Sequence, residues 1–157
     1  MPLITIRAAK CADLDRLNRM MYQLHHEHHL LSPELFKPAN EIDKTIAHYL
    51  DHPECLVFVA VDNGNVVGFV SGHFGQYQSP VSKPVMMGSI DELYVESNYR
   101  KSGIASKLMD TIEQTLGDYG ARYLFVEVWD SNPTAAQFYL TQGYQSHIHC
   151  LMKVVRE

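Results

Sequence analysis

Residues 90–116 constrain the fold more than any other part of this 157-residue chain. A β-branched and aromatic run at 90–95 is followed by turn-forming residues and by Gly103, and apolar residues then recur with helical spacing at Ile104, Leu108, Ile112 and Leu116. The pattern predicts a strand, a loop and a helix N-terminus in direct succession. The amides of residues 101–105 would lack intrahelical partners and lie at the positive end of the helix dipole. We therefore expect a phosphate-bearing molecule to bind here.

Length and composition exclude several other classes of protein. The length fits one domain, residues 1–157. The composition, with 46% hydrophobic and 20% charged residues, is typical of a globular protein. A net charge of −5 argues against nucleic-acid or membrane-surface partners and fits a cationic acceptor. The three cysteines form no metal or disulfide pattern. Without signal-peptide features or a run near the ~20 apolar residues of a membrane span, we expect a cytoplasmic protein.

The remaining patterns predict an α/β order. An Asn-Gly pair at 63–64 between two apolar runs predicts a hairpin, and a loop is expected at 75–85. The strand at 123–129 should lie parallel to the strand at 90–95 because a helix connects them, which leaves a cleft at their carboxyl ends. The predicted strands cover residues 3–7, 56–61, 66–70, 86–95, 123–129 and 146–155, and the predicted helices lie near 13–24, 42–50, 104–116 and 133–140.

A histidine cluster, His25-His26-Glu27-His28-His29, is predicted to lie between the first two helices. If the first helix continued, His25 and His29 would share a face at the i, i+4 spacing of some metal sites. No accompanying carboxylate motif is present. We therefore expect no metal, and interpret the cluster as a polar helix end or as lining for an acceptor pocket.

Two motifs resemble those of the GNAT superfamily of acyl-CoA-dependent N-acyltransferases. Arg100-x-x-Gly103-x-Ala105 resembles the family's Arg/Gln-x-x-Gly-x-Gly/Ala signature, and Asn132-x-x-Ala135-x-x-Phe138-Tyr139-x-x-x-Gly143-Tyr144 resembles a second family pattern. The resemblance implies an α/β GNAT fold, with a single mixed sheet of about six to seven strands and helices on both faces. A splayed parallel pair of strands would form the acetyl-CoA cleft.

The resemblance also implies how acetyl-CoA would bind. Its pyrophosphate would lie on the amides of residues 101–105, its pantetheine arm would pair with the backbone of Leu93 and Val95, and the Leu93 amide would stabilise the oxyanion. Asn132 would fix the cofactor arm or the nearby loop. The cofactor-binding residues implied in this way are Leu93, Tyr94, Val95, Arg100, Lys101, Ser102, Gly103, Ile104, Ala105 and Asn132.

Aminolysis of a thioester requires a neutral amine and a proton for the departing thiolate. Tyr139 is the expected proton donor, and a carboxylate would deprotonate the amine directly or through water. Asp91 and Glu92 are adjacent on a strand, so we expect them to face opposite sides, with Glu92 the preferred base. Some related protein acetyltransferases carry the base at the position of Ser89, and serine cannot act as that base. Asp91, Glu92 or ordered water therefore remain as candidates.

We expect the chain to acetylate a primary amine of a small molecule. The alternatives are a protein N-terminal or lysine acetyltransferase, and a non-catalytic acyl-CoA-binding sensor module.

A homodimer is expected from the family and from the predicted last strand. Residues 146–155 alternate apolar and polar side chains, as an edge strand that needs a partner would.

Overall fold

The computed structural model describes residues 3–157. The chain divides into two compact units, Met1–Glu127 and Val128–Glu157. The first unit holds five strands and three α-helices: β1 (Ile4–Ala8), α1 (Leu14–Leu31), α2 (Ala47–Asp51), β2 (Cys55–Asp62), β3 (Asn65–Tyr77), β4 (Val85–Val95), α3 (Ile104–Tyr119) and β5 (Tyr123–Val126). The second unit holds α4 (Pro133–Thr141).

The five strands form one mixed sheet in the order β1-β2-β3-β4-β5. Each pair from β1 to β4 is antiparallel, and β4 pairs with β5 in parallel, as the helical crossover predicts. The predicted hairpin is confirmed. Asn63 and Gly64 adopt φ values of 49° and 82°, the left-handed conformation that a tight two-residue hairpin turn requires.

Helices cover both faces of this sheet. On one face, buried side chains of α1 and α2 such as Leu17 and Tyr49 form a core with Phe69 of β3 and Tyr94 of β4. On the other face, α3 buries four side chains completely: Leu108, Met109, Ile112 and Leu116. This arrangement is the mixed α/β fold that the sequence predicts. No helix within residues 3–157 is both long and apolar enough to cross a membrane.

Helix α1 is longer than its apolar pattern predicts. It continues through Leu31, so the histidine cluster lies within its last turns rather than between two helices. The helix ends at Ser32, whose amide donates to the His28 carbonyl (3.1 Å). Pro33 explains the position of this end, because a proline disfavours helical backbone in the residue before it.

Helix α2 is shorter than predicted, because residues 42–46 make other bonds. The side-chain oxygen of Asn18 accepts hydrogen bonds from the Thr45 hydroxyl (3.0 Å) and from the Ile46 amide (3.2 Å). These contacts hold the segment against α1, and the helix begins only at Ala47. Its end before Pro53 agrees with the prediction.

The strands also differ in length from their predicted bounds. β3 continues to Tyr77 because it pairs with β4 as far as Tyr77 and Val85, so the predicted loop at 75–85 is reduced to residues 78–84. β5 ends at Val126 instead of residue 129. This shorter β5 leaves the second half of β4 beyond its pairing range.

In the second unit, α4 begins after Asn132, whose side chain accepts a hydrogen bond from the Ala135 amide (3.2 Å), as the Asn-Pro start signal predicts.

The expected strand at 146–155 is not formed. Leu151 and Val155 in this segment are 91% and 82% exposed. Alternation of apolar and polar side chains is insufficient to form a strand when no neighbouring strand is present to share its backbone hydrogen bonds. Within residues 3–157 the sheet therefore has five strands rather than six to seven.

A β-bulge interrupts the pairing of β3 with β4. Ser71 lies opposite Glu92 and Gly72 opposite Ile90, so Asp91 is an extra residue on β4. The two backbones approach closely at this point. A Cβ on Gly72 would overlap the Ser89 carbonyl oxygen and lie 3.0 Å from Cδ1 of Ile112.

We predict that Gly72→Ala lowers the free energy of unfolding by about 1–3 kcal/mol, because the added methyl group must displace backbone or helix α3. Gly75→Ala on the same strand is the matched control, since its nearest neighbour would be Met87 Cε at 3.7 Å. Urea denaturation of both variants measures the difference. Equal stability of the two variants would contradict the predicted clash.

Candidate functional site

Strand β4 extends beyond its parallel neighbour. The pairing of β4 with β5 ends at Ile90 and Val126, whereas β4 continues to Val95. Within the described residues, the edge of β4 at 91–95 has no strand beside it on this side. Its amides and carbonyls can therefore pair with another extended group, as a peptide-like arm added to a sheet does. This edge includes Leu93, Tyr94 and Val95, which the sequence predicts to bind the cofactor.

The bulge changes the side of the sheet that β4 residues face. A Cβ on Gly88 would point at Leu116 of α3, whereas Tyr94 packs with α1 and α2 on the opposite face. Residues six positions apart share a face in an unbroken strand, so the extra residue at Asp91 reverses the alternation. The expectation that Asp91 and Glu92 face opposite sides was therefore wrong. Both carboxylates lie near Tyr49, and the charges of both raise its pKa.

Asp91 is fully engaged in hydrogen bonds. Its Oδ2 accepts from the Tyr49 hydroxyl (2.7 Å) and lies 2.8 Å from Nδ1 of His73, and its Oδ1 accepts from the Ser89 hydroxyl (2.7 Å). Burial, the nearby Glu92 charge and the bond to Asp91 hold the pKa of Tyr49 far above its ordinary value. The Tyr49 phenol therefore stays protonated and donates. These contacts fix the Asp91 carboxylate in place.

Glu92 is the more deeply buried of the two carboxylates. Its side chain is only 4% exposed, and its Oε2 lies 3.2 Å from the Lys44 ammonium, while its Oε1 has no hydrogen-bond partner among residues 3–157. The Glu92 amide donates to the Ser71 hydroxyl (3.1 Å). Burial raises the pKa of Glu92, and the Lys44 charge opposes this shift in part. Glu92 is therefore a stronger proton acceptor than an exposed carboxylate.

Two histidines of the cluster in α1 are also partly buried. Nε2 of His25 is buried and has no hydrogen-bond partner in the part of the chain that the structure describes. Burial and, to a smaller extent, the Lys44 charge lower the pKa of His25. Burial likewise lowers the pKa of His28, whose ring contacts Phe36 (5.4 Å between centroids). Within residues 3–157, no three His, Cys, Asp or Glu side chains lie close enough together to hold a metal ion.

The predicted phosphate loop has an unusual backbone conformation. Lys101 and Gly103 both have positive φ values, 62° and 84°. A Cβ on Gly103 would meet nothing within 4 Å, so backbone conformation rather than crowding favours glycine there. The Lys107 amide donates to the Gly103 carbonyl (3.1 Å). The backbone amides that precede Lys107 in the chain lie at the open N-terminal end of α3, where an anion is favoured.

Three other predicted cofactor residues have defined roles in this loop. Ile104 is buried and anchors the first turn of α3, and Ala105 follows it in that turn. The Ser102 hydroxyl donates to the Tyr99 carbonyl, so its side chain supports the loop conformation. The side chains of Ile104 and Ser102 thus shape the loop, and the group available to an anion is the backbone.

Arg100 is bound to protein groups on both sides. Its Nε donates to the Val95 carbonyl (2.7 Å), and its Nη2 donates to the Glu27 carboxylate of α1 (2.9 Å). Its guanidinium also lies 5.3 Å from the centre of the Tyr94 ring. In this structure, Arg100 therefore joins the end of β4 to α1, rather than pointing away toward a ligand.

The second unit carries the remaining two predicted residues. Asn132 caps α4 through the Ala135 amide, and the Asn132 amide donates to the Trp129 carbonyl (2.9 Å). The Tyr139 ring contacts the rings of Phe138 and Tyr144, with centroids 5.2 and 5.7 Å away. Burial raises the pKa of Tyr139 to about 12. Its phenol is therefore protonated at neutral pH.

The first unit thus brings together the predicted phosphate loop, the open edge of β4 and both predicted carboxylates. It also brings in side chains that the sequence does not single out, namely Lys44 and Tyr49. No local pattern marks them, because Lys44 lies 48 residues from Glu92 along the chain and Tyr49 lies 42 residues from Asp91. An open strand edge beside a helix N-terminus fits a molecule with an amide-containing arm and a phosphate, as acetyl-CoA has.

Solved structures of acetyltransferases are similar to this chain. A crystal structure of an acetyltransferase from Vibrio fischeri is 51% identical in sequence, with a TM-score of 0.68, and the match covers 80% of this chain and 96% of that protein. The aminoglycoside N-acetyltransferase AAC(6')-Iy in complex with CoA has a TM-score of 0.76 over 99% of this chain and 97% of its own. Its identity is 15%, so this likeness concerns the fold alone.

A curated relative is the N-alpha-acetyltransferase daf-31 of Caenorhabditis elegans, which is 36% identical over 94 residues. That match covers 59% of this chain and 49% of the relative, so the chain spans about half of its length.

The sequence model of the acetyltransferase (GNAT) family matches residues 19–144, a range that includes both motifs, the open edge of β4 and both carboxylates. The chain belongs to the GNAT family of acetyltransferases.

Proposed function

We propose that this acetyltransferase moves the acetyl group of acetyl-CoA to a primary amine of a small cationic molecule by direct attack on the thioester. The observation that carries the proposal is the Glu92 carboxylate beside the open edge of β4. It is buried, it already pairs with an ammonium group, and its second oxygen has no hydrogen-bond partner among the described residues. The net charge of −5 also favours a cationic acceptor.

Glu92 is the proposed base. A primary alkyl amine is only about one part in a thousand neutral at pH 7, so a carboxylate that takes its proton has a large effect on the rate. Glu92 is favoured over Asp91 because both oxygens of Asp91 are already bonded. The proposed role of Asp91 is to position Tyr49 and His73 beside the acceptor.

The open edge of β4 and the start of α3 are the proposed binding surface for acetyl-CoA, which supplies the thioester when bound. The Leu93 amide is the proposed oxyanion donor. Residues 101–105 would hold the pyrophosphate through their backbone amides, with Lys101 and Gly103 setting the loop conformation. Asn132 would orient the start of α4.

Tyr139 is the proposed partner of the departing sulfur. Its pKa of about 12 keeps the phenol protonated. The same high pKa makes complete proton transfer to a thiolate, with a pKa near ~8.5, unfavourable. A hydrogen bond from Tyr139 to the sulfur is therefore the favoured role, and the proton lost by the amine balances the thiol that is released.

Residues 1–157 are proposed to act as one domain. The family match from residue 19 to residue 144 crosses the boundary between the two compact units, which supports this proposal.

A second candidate function is acetylation of protein N-termini. It is favoured by the 36% identity to an N-alpha-acetyltransferase. The two candidates make different predictions for the acceptor, since a protein N-terminal enzyme would require a peptide backbone next to the amine.

The first test combines binding and turnover. Calorimetric titration with acetyl-CoA should show binding, and a thiol-release assay against polyamines, aminoglycosides and peptides with free N-termini should show turnover on the small cationic amines. Turnover on peptides alone would favour the second candidate. Binding with no turnover on any amine class would instead favour a non-catalytic acyl-CoA sensor.

Two variants test the proposed catalytic residues. Glu92→Gln should lower kcat/KM for the amine about 100-fold or more, because it removes the proton acceptor. Tyr139→Phe should lower kcat about tenfold or more through the lost hydrogen bond to a charged group. Glu34→Gln and Tyr119→Phe, at exposed positions, are the controls. Wild-type rates in Glu92→Gln would rule out that residue as the base.

Charge at Gly103 provides a separate test of the phosphate loop. Gly103→Asp should weaken CoA binding roughly tenfold relative to Gly103→Asn, because a carboxylate would repel the pyrophosphate. Asp and Asn have similar shapes and both tolerate positive φ, so backbone strain is matched. Calorimetry at low salt and at about 1 M salt measures the difference, which screening should reduce. Equal affinities at low salt would place the pyrophosphate elsewhere.

A homodimer is the proposed assembly. Ile148, Leu151, Met152, Val154 and Val155 form an exposed apolar segment with no strand partner within residues 3–157. A second copy could supply the missing neighbour. Sedimentation velocity should show a dimer at micromolar concentration, and Met152→Lys with Val154→Lys should shift it toward monomer. A monomeric wild-type protein would refute this assembly.

A further inference from the structure

Lys44 occupies an unusual position for a surface lysine. Its side chain is 44% exposed, yet its ammonium lies 3.2 Å from a carboxylate oxygen of Glu92, whose side chain is almost completely buried. Among residues 3–157, Lys44 is the one lysine within ion-pair distance of a carboxylate. The chain thus presents a primary alkyl ammonium to the proposed base.

The backbone around Lys44 is fixed on its C-terminal side. Thr45 and Ile46 both bond to Asn18 of α1, and the Ile46 side chain is fully buried. Tyr49, one turn further on, donates to Asp91. The contact of Lys44 with Glu92 is therefore supported by anchored neighbours, whereas an isolated pair between two surface side chains would have little to hold it.

This inference rests on the proposed function. We propose that Lys44 is an acetyl acceptor within the chain itself, so that the enzyme acetylates its own Lys44 when no better amine is present. The proposed reaction requires a primary amine in contact with Glu92, beside the open edge of β4. In this structure the Lys44 ammonium contacts Glu92, and Glu92 itself lies on the open segment of β4.

The step balances without a further reagent. Glu92 accepts a proton from the Lys44 ammonium, and the neutral Nζ forms a bond to the acetyl carbonyl carbon. The C–S bond of acetyl-CoA then breaks, and the sulfur leaves as the thiol after taking up one proton. The products are acetylated Lys44, CoA and one proton released to solvent. Because the acetylated side chain is neutral, its ion pair with Glu92 is lost.

Lys83 is the matched comparison within the same chain. It is also exposed and lies in a loop, residues 78–84, but it makes no ion pair within the described residues. Any chemical acetylation by free acetyl-CoA should affect Lys83 and Lys44 according to their intrinsic reactivity alone. Acetylation driven by Glu92 should favour Lys44.

The test is site-resolved mass spectrometry of the full chain incubated with isotope-labelled acetyl-CoA. Lys44 should be labelled faster than Lys83, at a rate per molecule that does not change with protein concentration. Glu92→Gln should slow labelling of Lys44 about 100-fold while leaving Lys83 unchanged. Lys44→Arg should abolish that label, and Lys83→Arg should leave it intact. Thermal denaturation of each variant confirms that it is folded.

A second readout separates enzymatic from intrinsic reactivity. Labelling with acetic anhydride, in the absence of acetyl-CoA, ranks the lysines by accessibility and nucleophilicity alone. The ratio of Lys44 to Lys83 labelling should be higher with acetyl-CoA than with acetic anhydride. Equal ratios, unchanged labelling in Glu92→Gln, or no label on Lys44 would each overturn the proposal.

The amine panel, run on the same samples, separates this proposal from the proposed function. Turnover on external amines without labelling of Lys44 would refute the self-acetylation alone. Loss of acetyl-CoA binding, of turnover and of labelling together would refute both.

Discussion

The candidate site depends on the unequal lengths of two neighbouring strands. β5 stops opposite Ile90, and β4 continues for five more residues without a partner strand on that side among the described residues. The Val95 carbonyl accepts a hydrogen bond from Arg100, and the other backbone groups on this side can bond to water or to another extended group. The bulge at Asp91 lies at the start of this open segment. It turns both carboxylates toward α1 and α2, so the same short stretch offers a binding edge and a base.

The features that follow from local sequence were predicted correctly. The hairpin at Asn63 and Gly64, the strand leading to the loop at 100–105 and the start of α4 after Asn132 each depend on residues adjacent in the chain. Glycine, asparagine and proline favour particular backbone angles wherever they occur. The parallel pairing of β4 and β5 also follows, since a helical crossover constrains the direction of the second strand.

The features that were missed depend on contacts between distant residues. The bulge at Asp91 cannot be read from β4 alone, because it is defined by the register of β3 against it. The short α2 results from bonds to Asn18, which lies 28 residues before Ile46. Lys44 likewise reaches Glu92 across 48 residues. Side-chain alternation at 146–155 predicted a strand, but alternation cannot show whether a neighbouring strand is present to bond it.

The open edge of β4 also bears on solubility. An unpaired strand edge with apolar residues is a template onto which strands from other molecules can add, and this is a common start of aggregation. Asp91 and Glu92 stand at the beginning of this edge, and a foreign strand would have to bury its own groups beside these two carboxylates, of which Glu92 is paired with the Lys44 ammonium. The pair of acids therefore gives the chain protection against unwanted strand addition. Replacing both by apolar residues would remove that protection along this open segment of β4.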